Sequence, residues 1–376
     1  MSASTSKSGE IRSLTAMRGI AALFVVMSHY QQQFGSDRRL IHATHLFDQS
    51  YLWVDFFFIL SGFVLAYTYG ADYRENVERI RYLHFIGKRI ARIYPLHIVV
   101  LLAFVPTEAA KLLVHNTADP AFVRNNLTTF VTNALLIQSW WLHDYPSWNE
   151  PAWSISSELV SYLCFPLLAL AIARIRRIPN LLAVIAACFA ALLLLERYEG
   201  AGRLDMHIQG GVARCFFEFT VGMILARFYA QGVARSLFSR GIAAWLSLGV
   251  VLATLHAAGP DILAVAAMAV LIYALAVNRG VTGTVFGSAP LYFLGEISYS
   301  IYMVHALVMR LWIAIFQLVF HSHLEPYLVP LAVAGNLAAV IALSTVTYHV
   351  VEKPGRVALA RFFDRRLGLL PQLRFR

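Results

Sequence analysis

The chain has 376 residues, of which 59% are hydrophobic and only 14% charged, with a mean hydropathy of +0.62 and a formal net charge of +10. A water-soluble protein of this length needs a polar surface that these proportions cannot supply, so a soluble enzyme or regulator is excluded. Nor does the positive charge require a nucleic acid, because the basic residues gather where a membrane protein keeps them, at the cytoplasmic ends of its spans.

In chain order, apolar segments that reach or approach the ~20 residues of a bilayer span lie at 13–34, 51–70, 84–106, 124–142, 152–173, 179–196, 209–230, 240–258, 260–278, 290–317 and 327–351. Residues 1–12 are polar and a full-length apolar segment follows, so no cleavable signal peptide is expected. Basic clusters comprise Lys7, Arg12 and Arg18; Arg74 to Arg92; Arg174, Arg176 and Arg177; Arg227, Arg235 and Arg240; and a tail from Arg356 to Arg376. With all of them cytoplasmic, both termini are inside and the number of spans is even.

The three segments between the second and third clusters then cannot all cross. The segment at 124–142 opens with Arg124, Asn125, Asn126, Thr128 and Thr129, and is expected to be re-entrant or interfacial. The predicted fold is therefore an all-α polytopic membrane protein of about ten transmembrane helices. It divides into a cytoplasmic segment (1–12), a membrane domain (13–353) and a basic cytoplasmic tail (354–376). Cys164, Cys188 and Cys215 all fall in apolar segments without metal-ligand or disulfide spacing, and read as small core residues.

The polar residues inside these segments carry the functional signal. Arg18 and His29 stand eleven positions apart on the first segment, which puts both on one helix face, roughly 16 Å apart along the axis. An intramembrane guanidinium suits an anionic group, and an imidazole can move a proton near neutral pH. The plainer alternative is a snorkelling arginine and a histidine bonded between helices.

Asp55, at the outer start of the second segment, either caps its helix or meets a basic group. Lys88, Arg89 and Arg92 share overlapping faces at a helix start, where cations oppose the macrodipole unless they meet an anion, either lipid headgroups or a phosphorylated donor. Trp153, Ser156 and Glu158 enter the membrane together, and Glu158 is either an acid/base group or half of an ion pair. Arg214 and Glu218, one turn apart, read as an intramembrane ion pair. In the segment at 290–317, Tyr299 and Tyr302 offer hydroxyls and His305 a further base or ligand, although polar packing accounts for most of this stretch.

Taken together, these residues resemble the integral-membrane acyltransferase 3 family over almost the whole chain. Arg18 and His29 match its arginine, ten residues, histidine signature. The second-helix motif is matched by Val54 to Phe63, the basic third-helix motif by Phe85, Lys88, Arg89, Arg92 and Pro95, and the tryptophan-to-glutamate motif by Trp153 to Glu158 with Pro166 downstream. Gly295 to Tyr302 with His305, and Val351 to Pro354, match the late motifs. Ser157 stands where the family often has valine.

The resemblance implies transfer of an acyl group, often acetyl, from cytoplasmic acyl-CoA to a hydroxyl, commonly on a sugar of a cell-surface or exported glycan. It also implies a bacterial inner membrane location. His29 would be the general base or a transient acyl carrier, and Glu158 would orient it. Arg18, Lys88, Arg89 and Arg92 would hold donor phosphates, while Asp55, Trp153, Ser156, Tyr299 and His305 would support the site or the acceptor. Many relatives carry an extracytoplasmic hydrolase-like domain that this sequence lacks, so the chain either acylates its acceptor directly or hands the acyl group to a separate extracytoplasmic transferase. Apart from acyl-CoA as a substrate, no bound cofactor and no metal are expected. The competing reading is a transporter or flippase of a glycan or lipid-linked intermediate, which would also keep paired charges in a central cavity. A further alternative is a membrane scaffold without chemistry of its own.

Overall fold

The computed structural model describes residues 10–34, 44–113, 123–198, 202–278, 280–320 and 328–369. Lys7 and Arg376, named above in basic clusters, lie outside them. The described residues are helical with no strand. We number thirteen helices: α1 Arg12–Phe34, α2 Trp53–Tyr69, α3 Arg79–Leu113, α4 Leu127–Ala134, α5 Ala152–Arg174, α6 Ile178–Tyr198, α7 Gly211–Gln231, α8 Ile242–His256, α9 Asp261–Val277, α10 Ala289–Glu296, α11 Ser298–Phe320, α12 Val329–Thr347 and α13 Lys353–Arg366. Single turns at Asp48–Leu52, Gly70–Tyr73, Arg235–Phe238 and Val281–Phe286 join some of them.

Among the described residues, six helical stretches are long and apolar enough to cross a membrane. They contain α2, α3, α5, α6, α11, and α12 with its extension into α13. α8 and α9 are apolar but shorter, and α1 and α7 have 23 and 21 residues with ionisable groups among them. A backbone that hydrogen-bonds within its own segment is what lipid requires, and these six stretches adopt it.

The polar segment 124–142 does not form a spanning helix. α4 has eight residues, about 12 Å of helix, and is capped by Asn126, whose side chain accepts from Thr129 N–H while Thr129 returns a bond to the Asn126 N–H. The connection that follows is irregular yet enclosed. Trp148 N–H donates to Asn125, Trp148 Nε1 to Thr129, Ser139 N–H to Ser156, and Asn149 to the Met303 carbonyl. Gln138, Ser139 and Asn149 are buried, so backbone that could not face lipid is shielded by protein.

The segment 290–317 is broken at Ile297 into α10 and α11. The last segment runs through a π-helical turn at Tyr348–Glu352 into α13. That helix is docked on α3: Phe363 lies over Gly87, Gly355 over Pro95, and Asp364 holds both Lys88 (2.8 Å) and His84 (3.2 Å).

Small residues set the core contacts. α2 and α7 meet through Gly62 and Gly222, where a Cβ on either would overlap a carbonyl of the facing helix, that of Phe219 or Ile59. α1 and α10 meet the same way, with Gly19 against Leu294 and Gly295, and Gly295 against the Thr15 carbonyl. With the backbones this close, α1 lies against α2, α10 and α11, and presents its polar face to the cavity between α2, α3, α5 and α11.

Candidate functional site

A cavity of about 160 Å³ opens between these helices. Its cations are Arg18 from α1 and Arg89 and Arg92 from α3; its one carboxylate is Glu158 from α5. Ser61, Tyr162, Ser154, Ser298, Tyr299 and Tyr302 complete the polar lining, and Val54, Phe57, Phe58, Leu60 and Ile93 supply apolar wall.

The three guanidiniums are engaged to different degrees. Arg92 is ion-paired with Glu352, which is 1% exposed and also accepts from Ser300 at 2.7 Å. Among the described residues, Arg18 donates only to the neutral Ser298 hydroxyl, at 3.1 Å. Arg89 donates to Tyr69 Oη at 3.2 Å and lies over the Tyr69 and Phe85 rings, while its Nε is buried without a partner among the described residues. Arg18 and Arg89 are therefore the cations with capacity left for an anion.

Glu158 shares the cavity with Ser61 and Tyr162 and lies within electrostatic reach of Arg89 and Arg18. The expected pairing of Glu158 with His29 is not what the fold makes. Glu158 belongs to the Arg18 end of α1, and His29 lies three helical turns farther along. Lys88 is likewise outside the cavity: the twist of α3 carries it to Asp364 on α13 instead.

His29 faces α11, where its ring centroid is 5.0 Å from that of His305. His305 Nδ1 donates to the Tyr302 carbonyl at 2.7 Å, which leaves the buried Nε2 as an unprotonated nitrogen without a partner among the described residues. The Tyr302 ring lies 5.9 Å from His305, and its hydroxyl exchanges a 2.7 Å hydrogen bond with Ser154 in the cavity wall. Tyr302 and Ser154 thus stand between the cationic cavity and the histidine pair.

The supporting residues divide. Tyr299 lines the cavity, donates to the Ile93 carbonyl at 2.7 Å and carries Arg92 over its ring. Trp153 is buried, with its ring edge-on to Phe58 at 6.0 Å and Arg214 above it at 5.8 Å. Ser156 points away and accepts from Ser139 N–H at 3.2 Å, so Ser154 is the serine at the cavity. Asp55 does meet a basic group: Arg214 donates Nε to Oδ1 at 2.8 Å and Nη2 to Oδ2, both residues being buried. The Arg214 to Glu218 separation is 3.9 Å, so the closer partner comes from another helix and not from the same one.

A family model described as an acyltransferase domain matches residues 11–349. The chain belongs to the acyltransferase 3 family. It is 32% identical over 332 residues to the acyltransferase MdmB of Streptomyces mycarofaciens, covering 79% of each chain. It is 35% identical over 169 residues to protein 2 in the picA locus of Rhizobium radiobacter, covering 39% of this chain and 76% of that one. No solved structure matches it.

In this acyltransferase 3 chain, several cavity and near-site residues were not singled out from sequence. Ser61 and Tyr162 are ordinary helix residues until their neighbours are known. Asp205 and His207 could have been found: Leu204, Met206 and Ile208 alternate with Asp205, His207 and Gln209, the period-two pattern of an extended strip with one polar side. His207 Nε2 lies 3.1 Å from Asp205 Oδ1. Partial burial works to raise the Asp205 carboxyl, but the hydrogen bond from His207, with the cations Arg214 and Arg203 farther off, holds it below its ordinary value.

Proposed function

We propose that this membrane acyltransferase is an O-acyltransferase, moving an acyl group (acetyl in the simplest case) from cytoplasmic acyl-CoA to a hydroxyl of a carbohydrate on or bound for the cell surface. The observation that carries this reading is the layered site. Arg18 and Arg89, cations with bonding capacity left, line the cavity, and an imidazole pair, His29 and His305, lies beyond its wall, with Tyr302 and Ser154 between.

The two ends suit the two substrates. Arg18 and Arg89 bind donor phosphates in a site shielded from water, where charge-assisted bonds are strong, and Arg92 supports them while neutralised by Glu352. Glu158 limits the positive charge of the cavity and orients Arg18 and Arg89. The thioester end of the donor reaches past Tyr302 toward His29. There His29 takes the proton of the acceptor hydroxyl as the new C–O bond forms; the C–S bond breaks, and the thiolate leaves with the CoA. On the basic-residue orientation, with both termini cytoplasmic and about ten spans in a bacterial inner membrane, the donor end faces inward and the histidine end outward.

Detergent-purified protein incubated with acyl-labelled acetyl-CoA tests the reading. Release of free CoA, or labelling of protein or acceptor, is expected for wild type and not for His29→Ala. Wild-type protein that turns over neither acetyl-CoA nor longer acyl-CoAs, with or without carbohydrate, would overturn it.

A further inference from the structure

The short connection between α6 and α7 is built with more care than a linker needs. Leu204, Met206 and Ile208 are 0–5% exposed and point into the protein. The backbone between them is fastened at two places by buried charged side chains. Leu204 N–H donates to Asp261 at 2.7 Å, and the Met206 carbonyl accepts from Arg214 at 3.3 Å. Asp261 is itself held by Tyr51 at 2.6 Å, and Arg214 by Asp55. Buried charges in a membrane protein are costly, and here two of them meet on one strip of four or five residues.

What the strip holds in place is a histidine–carboxylate pair. The His207 ring lies against Trp153, with centroids 5.0 Å apart, and its Nε2–H points to Asp205 Oδ1 at 3.1 Å. That bond fixes the tautomer and leaves Nδ1 as an acceptor. Both residues lie within electrostatic reach of His29. The pair is on the protein surface at the His29 end of the fold, with Asp205 exposed and His207 half-buried.

We propose that Asp205 and His207 form a binding site for the acceptor, in which His207 Nδ1 accepts a hydrogen bond from a hydroxyl next to the one that is acylated. The proposal rests on the O-acyltransfer reading and narrows it. An imidazole acceptor backed by a carboxylate suits a neutral hydroxyl donor and repels an anion, so the substrate is an uncharged polyol or sugar with at least two neighbouring hydroxyls. The reacting hydroxyl gives its proton to His29; its neighbour keeps its own proton and donates to His207. The pair is thus a positioning device for the acceptor, separate from the donor cations.

The test uses the full-length protein in cells of the organism that carries it, where the natural acceptor is present. Hydroxylamine-labile acyl ester is measured in envelope and medium for wild type, a deletion strain, His207→Ala, His207→Gln and Asp205→Ala. In parallel, the purified variants are titrated with CoA and their thermal shift recorded. The expected result is a loss of chain-dependent ester of at least tenfold in His207→Ala. Smaller losses are expected in Asp205→Ala and in His207→Gln, which keeps an acceptor oxygen. The CoA shift should equal that of wild type in all three. Wild-type ester levels in His207→Ala would overturn the proposal, as would loss of ester and of the CoA shift together, which would mark a folding role. Should the deletion strain keep the ester level of wild type, the O-acyltransfer reading itself fails and the proposal with it.

Discussion

His29 and His305 come from helices far apart in sequence and meet with ring centroids 5.0 Å apart and planes tilted by 43°. Because His305 Nδ1 is committed to the Tyr302 carbonyl, its bare Nε2 is the nitrogen free to face a partner. A proton taken up by His29 therefore has a second imidazole beside it. Replacing a positioned base costs about 10²–10⁴-fold in rate. His29→Ala is expected to fall in that range, and His305→Ala to lose about 10–100-fold as the residue acting through it. Since the two act as a unit, the double variant should be no slower than His29→Ala alone. Rates of CoA release from acyl-CoA give all three numbers, and fully additive losses would separate the two histidines.

The cations assigned to the donor from sequence, Arg18, Lys88, Arg89 and Arg92, are not equivalent. Arg18 and Arg89 face the cavity with capacity to spare, and Lys88 is held by Asp364 at 2.8 Å. Arg18→Ala should raise the KM for acyl-CoA by at least tenfold, about 1.4 kcal/mol or more of lost binding. Lys88→Ala should leave that KM within about twofold and instead lower the melting temperature, because it frees one tie of α13 to α3. Equal KM effects from both would mean that the Lys88 to Asp364 pair opens for the donor.

Two ion pairs bind distant parts of the chain: Arg92, 20% exposed, to the buried Glu352, 260 residues apart, and Arg214 to Asp55, both buried, 159 apart. Removing one member of a fully buried pair costs about 3–5 kcal/mol, an upper bound here because Arg92 faces the cavity and Arg214 keeps Glu218 at 3.9 Å. Glu352→Ala and Asp55→Ala are therefore expected to lower thermal stability in detergent sharply, and Asp55→Ala also to expose residues 202–210 to protease, since Arg214 holds the Met206 carbonyl. A wild-type melting curve for either variant would show that water reaches these pairs.

The helical architecture was legible because lipid forces a simple code, in which long apolar runs become helices and polar runs do not. The face shared by Arg18 and His29 follows from eleven residues of helix, and the fold puts both against α11, at Ser298 and His305. What a single sequence could not supply was the partner of each charge. Arg214 has Glu218 one turn away, yet a side chain on the same helix reaches only 3.9 Å, while Asp55 on α2 offers both oxygens in plane. Glu158 was similarly linked to His29 by chemistry alone, and only the depth of α5 against α1 shows that Arg18 is the nearer group. The Ser154 and Ser156 exchange turns on about 200° of helix rotation, which apolarity on all sides of α5 does not fix.

The close contact of α2 with α7 gives the sharpest test of packing. In lipid there is little hydrophobic drive between helices, so association depends on backbones approaching through small residues. At Gly62 a methyl group would overlap the Phe219 carbonyl, and at Gly222 that of Ile59; at Gly295 it would overlap the Thr15 carbonyl between α10 and α1. None of these atoms is the end of a flexible side chain, so the helices themselves must part. Gly62→Ala, Gly222→Ala and Gly295→Ala are each expected to abolish a monodisperse peak in size-exclusion chromatography. Gly249 lies in α8 with nothing within 4 Å of its would-be Cβ. There alanine relieves the helix of a glycine, and the change should be neutral or stabilising by up to about 1 kcal/mol. If Gly249→Ala were as damaging as the other three, helix propensity and not interhelical distance would govern all four positions. The sizes of the two effects make that outcome easy to recognise.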